Sequence, residues 1–559
     1  MKILGIAFLS DASAVILDHG RLVAAVSEER LNRIKLWHGV PHLAIQKVLD
    51  QAGLSLEEID LVATHGLCPA DRDRKGYSEK RKLIEGSDLS QAIKLNQLEN
   101  LEKRWEHEQK VFSERTPEYL RDIAALGRPM KVYGHHHCHA ASAYYASGWD
   151  QATVLTADGW GEDGSSTVYQ AAKSQMRRTT ATETFDSLGY FYGSVTKALG
   201  FIPHRHEGKV LGLAAYCENP KSFAQIRRMV DYDAKAKHFV AHLENGLYIP
   251  RFENERLKDF VKDFSREDVS ASVQKTLEQV VVECVNDTDI TTRRLAVAGG
   301  IFANVKLNQR LIENPKISEL FVFPNMGDGG LSAGAAYLAH TEMTETRPEP
   351  ISTMYLGPSY SSDSIAQSLA ESGLRYERHP KISQKVAELL AKGEVVARFS
   401  GAMEFGPRAL GHRSLLYKAT EPEVNEWLNK RLKRSEFMPF APATLKSHAN
   451  DRFLNWEKAP LAARFMATTF DCTKLMRTEA PAAVHVDGTA RPQLIDPEHA
   501  PDFHAILENY FKLTGSPTLI NTSFNMHEEP IVASPEDALR AIKDAELPYL
   551  AIDDFLVTQ

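Results

Sequence analysis

Cysteine is scarce in this sequence, and so are long apolar runs and any excess of positive charge. Five cysteines are scattered over 559 residues without a CxxC pair, which indicates neither a disulfide framework nor a structural zinc site and favours a reducing cytoplasm. No uninterrupted apolar stretch approaches the roughly 20 residues that a membrane helix needs, and the N-terminus lacks the pattern of a signal peptide. The net charge of -8 argues against a nucleic-acid partner. Together these absences predict a cytoplasmic protein without membrane or nucleic-acid partners.

What is present is ordinary globular composition, with 43% hydrophobic and 25% charged residues, which excludes a disordered or fibrous chain. A strand, an acidic turn and a second strand open the chain, and the same pattern returns from Ala152. Such a duplication fits an actin-like ATPase fold, which has two similar lobes. The charged stretch 71–128 between the copies predicts a helical insertion. A Pro-, Thr- and Ser-rich linker at 344–360 precedes further alternating strands and helices, which predicts a second α/β domain.

The sharpest cluster of chemistry-bearing residues is HHHCHAASAYY at 135–145. His135 and His139 are four residues apart, so on a helix they share one face and can chelate one metal ion. Asp158 closes a predicted strand, and Asp328 sits in a glycine-rich turn after another. The four side chains would form a mixed nitrogen and oxygen site suited to iron, manganese or zinc. The alternative is a hydrogen-bonded histidine cluster at the start of a helix.

Basic side chains and Ser/Asn loops mark the C-terminal third of the sequence. Glycines and a proline at 401–416 predict a tight loop from which two arginines project, and three later segments add further basic and polar residues. Such groups suit phosphate or carboxylate binding, because a guanidinium binds both through two hydrogen bonds. Surface charge is the alternative for each segment taken alone. The residues are Arg408 and Arg413, Lys433 and Arg434, Arg491, and the NTSFN loop at 521–525.

Taken in order, these motifs resemble those of the O-carbamoyltransferase family, which includes the nodulation-factor, cephem and tobramycin O-carbamoyltransferases. The match runs over nearly the whole chain. The pair EFGPRALGHRS and NTSFN is its most specific part. The motifs are SEERLNRIK (27–35), HHHCHAASAYY, TADGWGEDG (156–164), EGKVLGLAAY (207–216), AGGIFANVKLN (298–308), NMGDGGLSAGAA (325–336), EFGPRALGHRSLL (404–416), EFMPFAP (436–442), HVDGTARPQ (485–493) and NTSFNMHEEPIV (521–532).

The resemblance implies an ATP-dependent carbamoyltransferase built from two α/β domains. Residues 1–350 would form an actin-like (ASKHA) domain similar to the tRNA threonylcarbamoyl-transferring protein, and residues 351–559 a YrdC-like domain. The second domain would make carbamoyl-adenylate from carbamoyl phosphate and Mg-ATP. The first would pass the carbamoyl group to a hydroxyl of a small-molecule natural product or glycan. The sequence leaves the acceptor open, and it leaves open whether the chain forms a homodimer.

The same resemblance implies roles for individual residues. His135, His139, Asp158 and Asp328 would hold Fe(2+) or a similar divalent metal. The residues implied in cofactor binding are Arg408, Arg491 and Ser523 on phosphate, with Lys433, Arg434, Asn525, Gly299 and Gly300. Relatives carry arginine where Met438 stands, so one phosphate contact of the family is expected to be absent or displaced here.

The first turn departs from the family pattern. Relatives have a histidine there that is thought to be the base for the acceptor hydroxyl, whereas this chain reads Ser10-Asp11-Ala12-Ser13. A serine cannot act as a base at neutral pH without a base of its own. Asp11 and His136 are therefore the predicted replacements. Two alternatives are that the metal lowers the acceptor's pKa enough, or that transfer is impaired.

Three other classes of protein compete with this interpretation. An actin-like sugar kinase or ATPase shares the duplicated strand pattern but leaves the arginine-rich C-terminal motifs without a role. A non-catalytic regulator would bind nucleotide and metal without turnover. A tRNA-modifying enzyme of related fold is disfavoured by the acidic net charge.

Overall fold

In the computed structural model, the first 59 residues form three strands and two helices, and the predicted pattern of strand, acidic turn and strand is present. The structure describes residues 1–67, 75–162, 164–433 and 437–559. β2 and β3 pair in antiparallel fashion, and α2 ends at Gly53, whose φ of 64° is left-handed. The elements are β1 (Lys2–Ala7), β2 (Ser13–Asp18), β3 (Arg21–Ser27), α1 (Glu29–Asn32) and α2 (His42–Ala52).

The predicted helical insertion is confirmed over its described part, while residues 68–74 lie outside the described ranges. Its helices follow β4 (Leu61–His65) and precede β5 (Met130–Tyr133), and the two strands pair in parallel. The insertion is anchored by Arg104, which lies buried over the rings of Trp160 and Tyr190 and 2.8 Å from Glu108. The helices are α3 (Lys75–Gly86), α4 (Gln91–Lys110), a π-helical turn (Val111–Arg115) and α5 (Thr116–Ala124).

The strand pattern then repeats. Three antiparallel strands and two parallel strands make a sheet of order β12-β11-β6-β7-β8, in which β11 pairs in parallel with both β6 and β12. The elements are α6 (His135–Ser147), β6 (Gln151–Gly161), β7 (Gly164–Ala172), β8 (Gln175–Thr182), α7 (Leu188–Ala198), α8 (Glu207–Ala214), α9 (Phe223–Arg227), β9 (Val230–Asp233), β10 (His238–Ala241), α10 (Glu255–Val261), α11 (Arg266–Asp287), β11 (Arg294–Ala298), α12 (Val305–Glu313), β12 (Glu319–Val322) and α13 (Leu331–Thr344).

An antiparallel meander followed by two parallel strands therefore occurs twice along the chain, first in β1–β5 and then in β6–β12. This duplication confirms the predicted actin-like class. Helices α6 and α13 pack so closely that a Cβ added at Gly334 would lie 1.9 Å from the Cys138 carbonyl oxygen. That approach requires glycine at position 334, and it holds α6 against its neighbours.

The C-terminal third is also α/β, as predicted. Its mixed eight-stranded sheet has the order β13-β22-β21-β14-β15-β20-β16-β19, and one buried face packs on α15 and α20 through Leu390, Leu416, Phe503 and Leu507. The elements are α14 (Ser362–Ser372), β13 (Arg375–Arg378), α15 (Ile382–Ala391), β14 (Val396–Phe399), β15 (Arg413–Lys418), α16 (Val424–Arg431), β16 (Ala441–Leu445), α17 (Ala449–Arg452), α18 (Pro460–Arg464), β17 (Phe470–Asp471), α19 (Lys474–Glu479), β18 (Thr489–Ala490), β19 (Gln493–Ile495), α20 (Pro501–Thr514), β20 (Thr518–Ser523), α21 (Pro535–Asp544), β21 (Tyr549–Ile552) and β22 (Phe555–Thr558).

By their internal contacts the residues divide into two units. Asp60–Glu349, with Met1 and Ile3, forms what we call the middle unit, and Leu4–Ile59 with Lys2 and Pro350–Gln559 forms the terminal unit. The units are defined by packing, whereas a functional division concerns which residues act together in catalysis. The functional division at residue 350 therefore stays a prediction.

The segment expected to be a linker is well packed in its second half. Met354 and Leu356 are buried, and the Leu356 carbonyl accepts a 2.8 Å hydrogen bond from the Ala25 amide of β3. The Gln51 side chain donates to the carbonyls of Leu356 and Gly357. Residues 351–357 thus connect the N-terminal meander to the C-terminal sheet inside the terminal unit.

Across the described ranges, no helix has the length and apolar character required to cross a membrane.

Candidate functional site

The four predicted metal ligands converge in the middle unit. His135 and His139 lie on one face of α6, Asp158 lies in β6, and Asp328 begins the turn between β12 and α13. The His139 Nε2 atom lies 3.1 Å from Asp158 Oδ2, 3.6 Å from Asp328 Oδ1 and 3.1 Å from His135 Nε2. One donor atom from each of the four residues lies within 4.8 Å of the others. The cluster is therefore a possible metal-ligand set.

The donor set fits a divalent metal. Around an ion with ligand bonds of roughly 2.0–2.2 Å, neighbouring donor atoms lie roughly 3.0–3.5 Å apart. The separations between His135 Nε2 and the two carboxylates, 3.6 and 3.9 Å, are close to that spacing. Both histidines are buried, whereas the aspartates are partly exposed. Two imidazoles and two carboxylates suit iron, manganese or zinc.

Proton affinity in the cluster reflects the same concentration of negative charge. Burial opposes a charged His135, yet the negative charges of Asp158, Asp328 and Glu162 raise the pKa of His135 to about 10. Burial likewise opposes a charged Asp158, but the nearby imidazoles of His135 and His139 hold its pKa well below the usual range. A cation bound here would take the place of a proton.

Gly299 and Gly300, which were predicted to bind cofactor, lie directly behind Asp158. The Gly300 amide donates to Asp158 Oδ2 at 3.0 Å, and the Gly159 amide donates to Oδ1 at 2.6 Å. Gly299 has a φ of 109°, and a Cβ there would lie 2.1 Å from the Ala157 carbonyl oxygen. These glycines permit the close backbone approach that orients the carboxylate. Their role in cofactor binding stays a prediction.

Two buried residues beside His135 were missed by the sequence reasoning. His65, at the end of β4, makes an edge contact with the His135 ring, and its Nδ1 lies 3.6 Å from Glu162 Oε1. Burial opposes the charge on Glu162, but His65 lowers the pKa of that carboxyl to about 2. The acidic turn TADGWGEDG contained the signal for Glu162, whereas His65 had none because its partners are distant in sequence.

His136, a predicted base, faces away from the cluster. Its Nδ1 lies 2.9 Å from the Thr156 hydroxyl and its Nε2 lies 3.1 Å from the Gly164 carbonyl oxygen, and the side chain is fully buried. Both ring nitrogens therefore tie α6 to β6 and β7. The other candidate, Asp11, lies half-buried with Ser10 in the turn after β1, with a left-handed φ of 51°.

Arg408 and Arg491 form the basic part of a second cluster, in the terminal unit. Burial and the neighbouring positive charge of Arg491 lower the pKa of Arg408 well below its usual range. The two positive charges repel each other, so an anion bound by both guanidiniums would be favoured.

Hydrogen bonds join the three loops that carry Arg408, Arg491 and Ser523. The side-chain amide of Asn521 donates to the Ala409 carbonyl at 3.2 Å and to Gln493 Oε1 at 2.7 Å. Gln493 in turn donates to the Leu410 carbonyl at 2.7 Å. Each of these residues lies one or two positions from a predicted phosphate ligand, so the network holds those ligands at fixed positions.

Arg413 was expected to project from its loop, and that expectation is wrong. Its side chain is fully buried, donates to the carbonyls of Ser400, His412, Pro358 and Gly401, and lies over the Phe399 ring. Burial lowers its pKa to about 10. Arg413 is thus a structural residue that ties this loop to the sheet, because buried carbonyls need donors.

Glu404 is the acidic counterpart of Arg413 within the motif, and sequence reasoning assigned it no role. One of its carboxylate oxygens accepts from the amides of Leu410, His412 and Arg413 at 2.8, 2.8 and 3.1 Å. Hydrogen bonds to a charged group contribute about 1.5–3 kcal/mol each. Glu404 therefore fixes the backbone of the loop that carries Arg408.

Comparison with known families decides the identity of the chain. The model described as "Carbamoyltransferase N-terminus" matches residues 2–337, and the model described as "Carbamoyltransferase C-terminus" matches residues 387–559. The chain belongs to the carbamoyltransferase family. It is therefore an enzyme of the carbamoyl-transferring class, and the sequence-based recognition of the family is confirmed.

Relatives of this carbamoyltransferase include nodulation proteins. It is 31% identical to nodulation protein NolNO of Sinorhizobium fredii, over 98% of this chain and 79% of that protein. It is 27% identical to nodulation protein U of Bradyrhizobium diazoefficiens, over 94% of this chain and 92% of that protein. A solved structure that it resembles is component A of (R)-2-hydroxyglutaryl-CoA dehydratase from Acidaminococcus fermentans, with 14% identity, a TM-score of 0.37, and coverage of 61% of this chain and 98% of that one.

Three further residues of the carbamoyltransferase were predicted to bind cofactor. Lys433 lies exposed in the turn after α16, and Arg434 lies outside the described residues. The side-chain amide of Asn525 donates to the backbone carbonyls of Met526 and Glu529, so it stabilises the loop in which it lies. The proposed phosphate contacts of Lys433, Arg434 and Asn525 stay predictions.

Proposed function

We propose that this carbamoyltransferase is an ATP-dependent O-carbamoyltransferase that works through carbamoyl-adenylate. The observation that carries the proposal is that one chain of this family holds a two-His, two-Asp cluster and also two arginines, Arg408 and Arg491, whose charges act on each other. Mg-ATP and carbamoyl phosphate are the proposed substrates, and a hydroxyl of a small-molecule natural product or glycan is the proposed acceptor. The four described thiols Cys138, Cys217, Cys284 and Cys472 are consistent with work in the reducing cytoplasm.

The arginine cluster supports the adenylating half-reaction. Carbamoyl phosphate and water give carbamate and phosphate, and a carbamate oxygen then attacks the α-phosphorus of ATP as pyrophosphate leaves. Arg408 and Arg491 would bind the phosphates through their guanidinium forks, with the Ser523 hydroxyl beside them. Adenylation turns the poor leaving group of carbamate into a good one, since AMP departs when the acceptor oxygen attacks the carbamoyl carbon.

The histidine and aspartate cluster supports the transfer half-reaction. His135, His139, Asp158 and Asp328 would hold Fe(2+) or a similar divalent ion, which when bound supplies a Lewis acid for phosphate and hydroxyl oxygens. The amides of Gly159 and Gly300 orient Asp158 for this task. Glu162, whose carboxylate lies 3.6 Å from His65 Nδ1, places a negative charge beside His135.

We propose Asp11 as the base for the acceptor hydroxyl, because both nitrogens of His136 are occupied within the fold. Asp11→Asn should lower the transfer rate about a hundredfold or more, the usual contribution of a general base, and leave pyrophosphate release unchanged. His136→Gln should instead lower the melting temperature. The measurements are pH–rate profiles of both half-reactions. Full transfer by Asp11→Asn together with inactivity of Ser10→Ala would show that the base is elsewhere.

The direct test of the function is mass spectrometry of the purified enzyme with carbamoyl phosphate, Mg-ATP and a panel of hydroxylated acceptors. The expected result is an acceptor heavier by one carbamoyl group, with AMP, pyrophosphate and phosphate as the other products. An actin-like kinase would give ADP and a phosphorylated acceptor. A non-catalytic regulator would bind ATP and metal without product, and either outcome would overturn the proposal.

A further inference from the structure

Two arginines of the N-terminal motif SEERLNRIK contact the C-terminal loops inside the terminal unit. Arg30, which is buried, donates from Nη2 to the Gly406 carbonyl at 2.9 Å and lies 3.3 Å from the Glu29 carboxylate. Gly406 lies two residues before Arg408. A side chain from the beginning of the chain therefore holds the backbone of the loop that presents the first proposed phosphate ligand.

Arg33 binds the second loop. Its Nη1 donates to the Ile531 carbonyl and its Nη2 to the Pro530 carbonyl, both at 2.7 Å, and its Nε lies 3.5 Å from Asp537 Oδ1. The guanidinium fork thus spans two successive peptide carbonyls, a geometry that a single ammonium group cannot reproduce.

A backbone hydrogen bond connects the residues that Arg33 contacts with the strand end that carries Ser523. The Val532 amide donates to the Phe524 carbonyl at 3.0 Å, so the stretch held by Arg33 is paired with the residue that follows Ser523. Arg33 also donates to the Arg30 carbonyl at 3.3 Å, which links the two arginines to each other. The loop of Arg408 and the loop of Ser523 are therefore braced from one short segment.

That segment also holds the first turn of the chain. The Glu28 amide donates to the Ala12 carbonyl at 2.8 Å, and the Ala12 amide donates to the Trp37 carbonyl at 3.2 Å. Glu28 is fixed in turn by the Ala44 amide, which donates to its carboxylate at 2.7 Å. Residues 28–37 thus connect the Ser10-Asp11 turn with both phosphate loops.

We propose that Arg30 and Arg33 are positioning residues for the adenylating site, which makes the first 59 residues a working part of that site. The proposal rests on the function proposed above. According to this proposal, Arg30 and Arg33 are needed for carbamoyl-phosphate-dependent pyrophosphate release and not only for the later transfer step. The physical reason is that a phosphate held by Arg408 and Ser523 together needs their loops at a fixed separation.

The test compares Arg33→Ala and Arg33→Lys with Arg540→Ala in the full-length enzyme. Arg540 is a matched control because it binds Glu529 of the same loop, but through the partly exposed carboxylate of Glu529 and not through backbone carbonyls. We expect Arg33→Ala to raise the KM for carbamoyl phosphate at least tenfold in pyrophosphate release, and Arg33→Lys to give an intermediate value. Arg540→Ala should retain the wild-type KM, with a melting temperature similar to that of Arg33→Lys.

Hydrogen–deuterium exchange of the same proteins tests the positioning role without relying on the proposed reaction. Arg33→Ala should speed exchange in residues 404–413 and 523–532 but not in 135–161. Wild-type KM and wild-type exchange in Arg33→Ala would overturn the proposal. If the wild-type enzyme releases no pyrophosphate, the proposed function fails, and the exchange pattern still decides the positioning role. If Arg33→Ala does not fold, the Arg33→Lys comparison decides it.

Discussion

Replacing His139 by alanine is expected to lower the rate of carbamoyl transfer strongly while pyrophosphate release continues. His139 is fully buried, and its Nε2 atom faces His135, Asp158 and Asp328. Without it the proposed ion loses one of four ligands, and a bound divalent ion contributes several kcal/mol to stabilising developing charge. Transfer should fall by roughly a hundredfold or more. Elemental analysis for metal and separate assays of the two half-reactions measure the effect.

His137→Ala is the matched control for this variant. His137 lies on the same helix, but its ring stacks on Tyr169 and it is not among the four converging ligands. It should keep its metal and most of its transfer activity. Full metal occupancy in His139→Ala would contradict the assignment of the cluster, and equal loss of both half-reactions would point to a folding defect.

Replacing Arg408 by alanine is expected to give the opposite pattern, with pyrophosphate release strongly slowed and metal retained. Arg408 lies beside Arg491, and the like charge together with burial lowers its pKa. An anion that relieves this repulsion gains strong charge-assisted hydrogen bonds, so removing one partner should cost about 3 kcal/mol, or roughly a hundredfold in rate. The assay is carbamoyl-phosphate-dependent pyrophosphate release.

Two companions sharpen the Arg408 experiment. Arg408→Lys keeps the charge without the planar fork and should recover only part of the rate. Arg378→Ala removes an exposed arginine that pairs with Asp554 and should behave like the wild type. Unchanged pyrophosphate release in Arg408→Ala would contradict the phosphate role. Together, the His139 and Arg408 variants should separate the two half-reactions in opposite directions.

Short sequence patterns were enough to predict several elements of the fold. The i, i+4 spacing placed His135 and His139 on one helical face, and the meander with its acidic turn was visible in both copies. The charged insertion was visible too, because its composition differs from that of its neighbours. The glycine-rich motif at 401–416 predicted a tight loop, and that loop is present.

The motif at 401–416 also contains a difference that the sequence pattern did not predict. Composition made Arg408 and Arg413 equivalent, yet one lies beside Arg491 and the other is buried among carbonyls. The difference arises because Arg413 begins β15, where buried carbonyls surround its side chain, whereas Arg408 lies five residues earlier in the loop. A guanidinium takes whichever acceptors the fold brings within reach. His136 is a similar case, because its neighbours Thr156 and Gly164 become partners only when β6 and β7 pair.

By itself, the sequence determined the family, the α/β class, the four candidate metal ligands and the loops of the proposed phosphate site. These depend on residue types and short spacings, which a sequence displays directly. Only the tertiary structure decided that residues 4–59 pack with the C-terminal sheet, that Arg30 and Arg33 brace its loops, and that Glu162 and His65 lie beside His135. Such contacts join residues tens to hundreds of positions apart. They form because buried carbonyls and charges must find partners once the core has closed, and no local pattern records which partner that will be.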